Sequence, residues 1–181
     1  MATLRTPPAA WIEAGLQALA EGGPEAVRIE ALAERLGVTK GGFYRQFADR
    51  ADLLAAMLDT WEAAVFRDVV GEVDDVSGNA RAKLERLFTL GSAERVQRIE
   101  LTVRDWARRD PGVAERLRRV DERRMSYMRS LFAEICTDGR DVEARCLLAF
   151  TLFIGFRLID VDHGSHGKHD VLTRALATLL A

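Results

Sequence analysis

The sequence predicts an all-α protein, and three observations carry that expectation. Proline is scarce, and three of the four (Pro7, Pro8 and Pro24) lie before residue 25, so most of the chain is free of helix breakers. Apolar residues recur at three- and four-residue steps. No stretch alternates apolar and polar for more than a few residues, as a half-buried strand would. Residues AVILMFWYC make up 48% of the 181 and charged residues 30%, enough apolar area to offset the entropy of ordering, which excludes a disordered chain.

Taken in order, the first helix starts after Pro8, a residue whose fixed φ suits a first turn, and sets Ile12, Leu16 and Leu19 on one face. Gly22-Gly23-Pro24 ends it. A short helix from about Glu25 or Arg28 to Leu36 buries Ile29, Leu32, Ala33 and Leu36. Gly37 stops it, and the Thr39 hydroxyl is placed to cap the next short helix. Asp49 caps a long helix in which Leu54, Leu58, Trp61, Val65 and Val69 share a face. The acidic stretch Gly71 to Gly78 reads as a linker. Further helices are expected at about 79–90, 94–107, 111–136, 141–160 and 170–180, the 111–136 helix opening with Pro111 after Asp110 and closed by Asp138-Gly139.

Charge and cysteine content narrow the function classes. The formal net charge is −2, which excludes a globally basic nucleic-acid coat but leaves room for a local patch. Cys136 and Cys146 are too few for a disulfide framework and read as buried thiols. The start of the chain has no apolar secretory segment, and the most apolar run, Cys146 to Phe156, is too short to cross a bilayer. A cytoplasmic protein with no membrane partner and no cofactor is expected.

The informative segment is Arg28 to Leu54, RIEALAERLGVTKGGFYRQFADRADLL. It reads as a helix, a glycine turn and a second short helix anchored by Val38 and Phe43, with the small Ala33 allowing close approach. In helix-turn-helix geometry the second helix lies in the DNA major groove. The face left over carries Thr39, Lys40, Gly41, Gly42, Tyr44 and Arg45, whose hydroxyls, cations and bare amides suit phosphates and base edges. Residues 1–50 hold six bases (Arg5, Arg28, Arg35, Lys40, Arg45, Arg50) against six acids (Glu13, Glu21, Glu25, Glu30, Glu34, Asp49), so binding would rest on segregation of charge.

The run Leu36-Gly37-Val38-Thr39-Lys40-Gly41-Gly42-Phe43-Tyr44, then Phe47, Asp49-Arg50 and Asp52-Leu53-Leu54, resembles the TetR family of bacterial transcriptional regulators over roughly residues 9–60. The resemblance implies a three-helix DNA-binding head at residues 1–50 and a helical effector-binding and dimerisation body at 51–181. By position it places Thr39, Lys40, Gly41, Tyr44 and Arg45 on or beside the recognition helix and Arg28 and Arg50 at phosphate. Gly42 departs from the family, which more often has Ser, Thr or Ala there. The implied partners are double-stranded operator DNA, a second copy of the chain and an unknown small-molecule effector, and the implied role is a repressor released from a pseudo-palindromic operator when the effector binds.

In the body, Trp61, Phe66, Phe88, Trp106, Met125, Tyr127, Met128, Phe132 and Phe150 are candidates to line an effector pocket; the alternative for each is a filled core. A helix apolar all round at 141–160 and a tail striped with leucine suggest a dimer surface through Phe153, Phe156, Leu172, Leu176 and Leu179, which by resemblance forms a four-helix interface. The segment ERLRRVDERR (115–124) reads as a solvated helix face with Glu115–Arg119 and Arg118–Glu122 pairs. His163, His166 and His169 cluster in a glycine-containing loop beside Asp160, Asp162 and Asp170. A metal site or catalytic centre there is the rival reading, although no nucleophile motif, phosphate loop or zinc pattern accompanies it and no catalytic residue is assigned.

Overall fold

The computed structural model describes residues 6–74, 79–91, 94–159 and 161–181, apart from the side chains of 66–70, 72, 74 and 157. Helices account for all its regular structure: α1 (Pro8–Gly22), a 3-10 turn (Pro24–Ala26), α2 (Ile29–Arg35), α3 (Lys40–Phe43), α4 (Arg50–Asp74), α5 (Ala80–Gly91), α6 (Glu94–Ala107), α7 (Pro111–Phe132), α8 (Gly139–Leu158) and α9 (Lys168–Leu179). They form two compact units, one of Met1–Phe66 with Arg98–Leu117, the other of Arg67–Gln97 with Arg118–Ala181.

In the first unit, Pro8 opens α1 and Gly23, at φ 73°, ends it with its amide on the Leu19 carbonyl. Trp11, Ala14, Leu16, Ala18 and Leu19 are buried, so the inner stripe of α1 centres on Trp11 rather than on Ile12, which is half-buried. The small Gly15 lets α4 approach: a Cβ there would lie 2.5 Å from the Met57 sulfur. At the end of α2, Gly37 takes φ 65°, its amide donates to Glu34 O (3.0 Å) and the Val38 amide to Ala33 O (2.9 Å). This paired closure satisfies two end carbonyls and fixes the turn into α3. Asp49 caps α4 through Asp52 N (2.9 Å), and the Asp52 carboxylate accepts in return from Ala48 N (3.0 Å).

The second unit packs Ala80, Leu84 and Phe88 of α5, Met128, Leu131 and Phe132 of α7, Val142, Cys146 and Ala149 of α8, and Leu176 and Leu180 of the tail into one core. Arg81 and Arg145 donate to the carbonyls of Leu180 and Leu179, groups that the end of α9 leaves without helical partners. Burial pushes the Cys146 thiol up to about 11. Cys136 is half-buried rather than buried.

Several expected boundaries are corrected. No linker starts at Gly71: α4 continues to Asp74 because Val73 is fully buried, and that burial offsets the cost of an interior glycine. Residues 75–78 of that stretch lie outside the described residues. The 111–136 helix ends at Phe132, where the Glu134 and Ile135 amides turn to carbonyls three residues back. Asp138 does not close α7; it caps α8, accepting from Arg140 N at 2.9 Å. The Thr39 hydroxyl does not cap α3. In so tight a turn the Gly42 amide reaches the Thr39 carbonyl instead (2.9 Å).

Candidate nucleic-acid interface

The site is built on an aromatic anchor. Phe43, the last residue of α3, is fully buried, packs edge-on to Trp11 at 5.3 Å and stacks with Phe47 at 5.4 Å. Trp11 is fully buried too. A helix of four residues cannot hold itself together by backbone bonds alone, so this packing supplies its stability. Tyr44 follows directly, edge-on to Phe43 at 5.3 Å, and stands 59% exposed.

With Phe43 turned inward, Thr39, Lys40, Gly41, Tyr44 and Arg45 are all exposed, and Arg28 is exposed at the N-cap of α2. A threonine hydroxyl, a phenol, two cations and a bare backbone segment therefore share one accessible stretch. Gly42 does not belong to it. It is half-buried, and a Cβ there would lie 3.8 Å from the Trp11 ring and 4.0 Å from Val38, facing the core.

Two of the expected cations are already engaged. Lys40 Nζ meets Glu30 Oε1 at 2.5 Å. Its bond to the carboxylate holds Glu30 below the usual carboxylate range. Arg50, expected at phosphate, donates through Nε to the Val27 carbonyl (2.7 Å) and through an Nη to the Pro24 carbonyl. The first residue of α4 thus grips the turn that leads into α2, which makes Arg50 a positioning residue. Its spacing in the sequence cannot tell the two roles apart, because a guanidinium suits carbonyls and phosphates alike.

The other expected sites are placed as follows. Phe88, Met128 and Phe132 are buried in the second unit's core, and Met125, Tyr127 and Phe150 are half-buried against it. Trp61 and Trp106 are buried in the first unit, and the Phe66 side chain lies outside the described residues. Leu172 and Leu176, expected on the dimer surface, are buried within the subunit, and Leu176 belongs to the second unit's core with Leu179 packed against it. Phe153 lies against Gly91, where a Cβ would come within 2.5 Å of its ring, and beneath Arg124 at 5.6 Å; Phe156 sits under Lys168 at 5.2 Å. Leu176 and Leu179 thus help to close the core of their own unit. Of its large apolar residues, α8 leaves Leu147, Leu148 and Leu158 outside, at 61%, 58% and 66% exposure.

In the 163–169 loop, Gly164 turns at φ 64° with its amide on Asp162 Oδ1 (2.9 Å). Among the described residues no three His, Cys, Asp or Glu side chains are gathered to hold a metal ion, and no helix is long and apolar enough to cross a membrane. Sequence reasoning missed Trp11, Glu30 and the Arg116 clamp, whose Nη1 meets Asp59 Oδ1 (2.6 Å) and Glu62 Oε1 (2.7 Å). Trp11 was detectable from the small residues Ala14, Gly15 and Ala18 sharing its stripe. The Glu30–Lys40 pair crosses a turn and the Arg116 pairs join distant stretches, so neither shows in helical periodicity.

Residues 12–57 match the sequence profile of bacterial regulatory proteins of the tetR family. No curated protein matches the chain. Among solved structures, the chain is similar to a transcriptional regulator from Rhodococcus sp. Rha1, with TM-score 0.74 and 19% identity over 97% of this chain and 94% of that one. It is likewise similar to a transcriptional regulator from Saccharomonospora viridis in complex with choline, at TM-score 0.75 and 18% identity over 95% and 92%. AibR in complex with isovaleryl coenzyme A and operator DNA aligns at TM-score 0.71 and 12% identity over 96% and 97%.

Proposed function

We propose that this chain, whose residues 12–57 match the sequence profile of bacterial regulatory proteins of the tetR family, is a ligand-responsive repressor of that family, released from a pseudo-palindromic operator when a small, largely apolar effector binds. We assign the DNA-binding head to residues 1–50 and the effector and dimer body to 51–181. The observation that carries the reading is the polar surface of α3 held out by a buried phenylalanine: Thr39, Lys40, Gly41, Tyr44 and Arg45 outside, Phe43 inside. Arg28 supplies a phosphate contact, and Arg50 fixes the turn between α1 and α2.

Choline and isovaleryl coenzyme A in fold relatives support a small-molecule effector for this fold. In this chain Met125, Tyr127 and Phe150, half-buried at the edge of the core, are the positions assigned to it, with Phe88, Met128 and Phe132 as packed support. Phe66 is kept as a candidate, and Trp61 and Trp106 are assigned to packing of the first unit. The dimer is assigned to the outer face of α8 around Leu147, Leu148 and Leu158. Two-fold symmetry would set two recognition helices into successive major grooves about one DNA turn apart. Effector and DNA would then oppose each other by selecting different conformations, a coupling of about 1–3 kcal/mol.

The test is fluorescence anisotropy of labelled duplexes at two salt concentrations, using DNA from the gene's own upstream region and DNA recovered from a random-sequence selection. Salt-sensitive binding of at least one duplex in preference to random DNA, lost in Tyr44→Ala, is the expected result. Each phosphate neutralised lowers log K by about 0.9 per log unit of salt. A protein that selects no sequence and binds no duplex sinks the reading.

A further inference from the structure

We propose that Glu30 is an internal competitor for DNA: its carboxylate holds Lys40 in the free protein and must be displaced before that lysine can reach nucleic acid. The inference rests on the reading of α3 as the recognition helix.

The geometry is local and well defined. Glu30 lies in the first turn of α2 and Lys40 is the first residue of α3. The Gly37 turn, closed by its two backbone bonds, brings these two helices together, and Nζ and Oε1 meet at 2.5 Å. Both side chains are exposed, at 56% for the lysine and 64% for the glutamate, so the pair stands on the surface that DNA would approach.

A carboxylate and a phosphate present the same charge sign and the same acceptor oxygens to an ammonium group, so they compete for it directly. Equal numbers of acids and bases in residues 1–50 leave the head without excess positive charge to outweigh such a competitor. The lysine's bond lowers the Glu30 carboxyl from its ordinary value, so the pair favours the charged form that competes. Once displaced, Glu30 is left as an anion beside the DNA and repels it.

A second exposed pair supplies the control. Arg35 Nη2 meets Glu21 Oε2 at 2.7 Å, joining α1 to α2 without touching α3. Removing Glu21 changes the net charge of the head by the same amount as removing Glu30.

The experiment measures anisotropy of a labelled duplex recovered from random-sequence selection against the wild-type protein. Wild type, Glu30→Gln, Glu21→Gln, Lys40→Gln and the Glu30→Gln/Lys40→Gln double variant are compared at low salt, each checked for an unchanged thermal midpoint. An exposed pair holds its partner by up to about fivefold, so over two recognition helices Glu30→Gln is expected to tighten binding by roughly three- to tenfold. Glu21→Gln should stay within about twofold of wild type, and Glu30→Gln should gain nothing once Lys40 is gone.

Equal or weaker binding by Glu30→Gln overturns the inference. So does an equal gain from Glu21→Gln, which would make net charge the cause, or a gain that persists without Lys40. If Lys40→Gln weakens binding while Glu30→Gln is inert, the recognition helix stands and only the competitor is removed. If the wild type selects no DNA at all, the recognition reading fails and the competitor fails with it.

Discussion

Helices α3 and α8 turn opposite chemistry outward. The four residues of α3 are held by one buried aromatic, Phe43, and the exposed groups on and around it are polar: Thr39, Lys40, Tyr44 and Arg45. The twenty residues of α8 are held by Val142, Cys146 and Ala149, and they expose Leu147, Leu148 and Leu158. A polar surface on a short, rigidly anchored turn suits a charged partner that must be met at defined points. An exposed row of leucines on a long helix suits a partner that is itself apolar, because only burial removes the cost of hydrating it. The difference separates the two surfaces by the chemistry of the partner each can accept, charged for one and apolar for the other.

The largest expected effect attacks the anchor of α3. Phe43→Ala removes a fully buried ring from between Trp11 and Phe47 and is expected to destabilise the first unit by about 3–5 kcal/mol, with DNA binding lost alongside. Urea unfolding followed by Trp fluorescence, with anisotropy run in parallel, checks it. Full DNA affinity in a protein so destabilised would show that α3 does not depend on its anchor.

Next comes the outer face of α8. Leu148→Glu should leave the fold intact, since the side chain is exposed within the subunit, yet convert a dimer to a monomer by burying a charge at the interface. Sedimentation velocity reads the change. A variant that remains a dimer moves the interface away from this face.

The smallest effect sharpens the contrast inside α3 itself. Gly42 faces Trp11 and Val38 at ordinary contact distance, so Gly42→Ala should fit, raise stability by up to about 1 kcal/mol through helix propensity, and leave DNA affinity unchanged within about twofold. A loss of DNA binding in a stabilised protein would return Gly42 to the nucleic-acid surface.

The helices and their ends were largely legible in the sequence, because the groups that start and stop them are local. Pro8, Gly23, Gly37, Asp49 and Asp110 stand where backbone sterics and side-chain capping require them. The exposed set on α3 was legible for the same reason: once Phe43 is turned inward, helical geometry assigns its neighbours to the other side. Gly42 escaped that reasoning. A glycine has no side chain to declare a face, and only the position of Trp11, some thirty residues earlier, shows which way it points.

The sequence by itself determined an all-α chain, most of its capping residues, and a helix-turn-helix with a polar outer surface. All of these follow from interactions between residues a few positions apart. Tertiary structure alone decided that Arg50 grips the carbonyls of Val27 and Pro24, that Lys40 is held by Glu30, and that Leu176 closes its own core while Leu147 and Leu148 face out. An arginine, a lysine or a leucine carries the same chemistry wherever it stands. Which partner it meets depends on what the folded chain brings beside it, and periodicity along one helix holds no record of that.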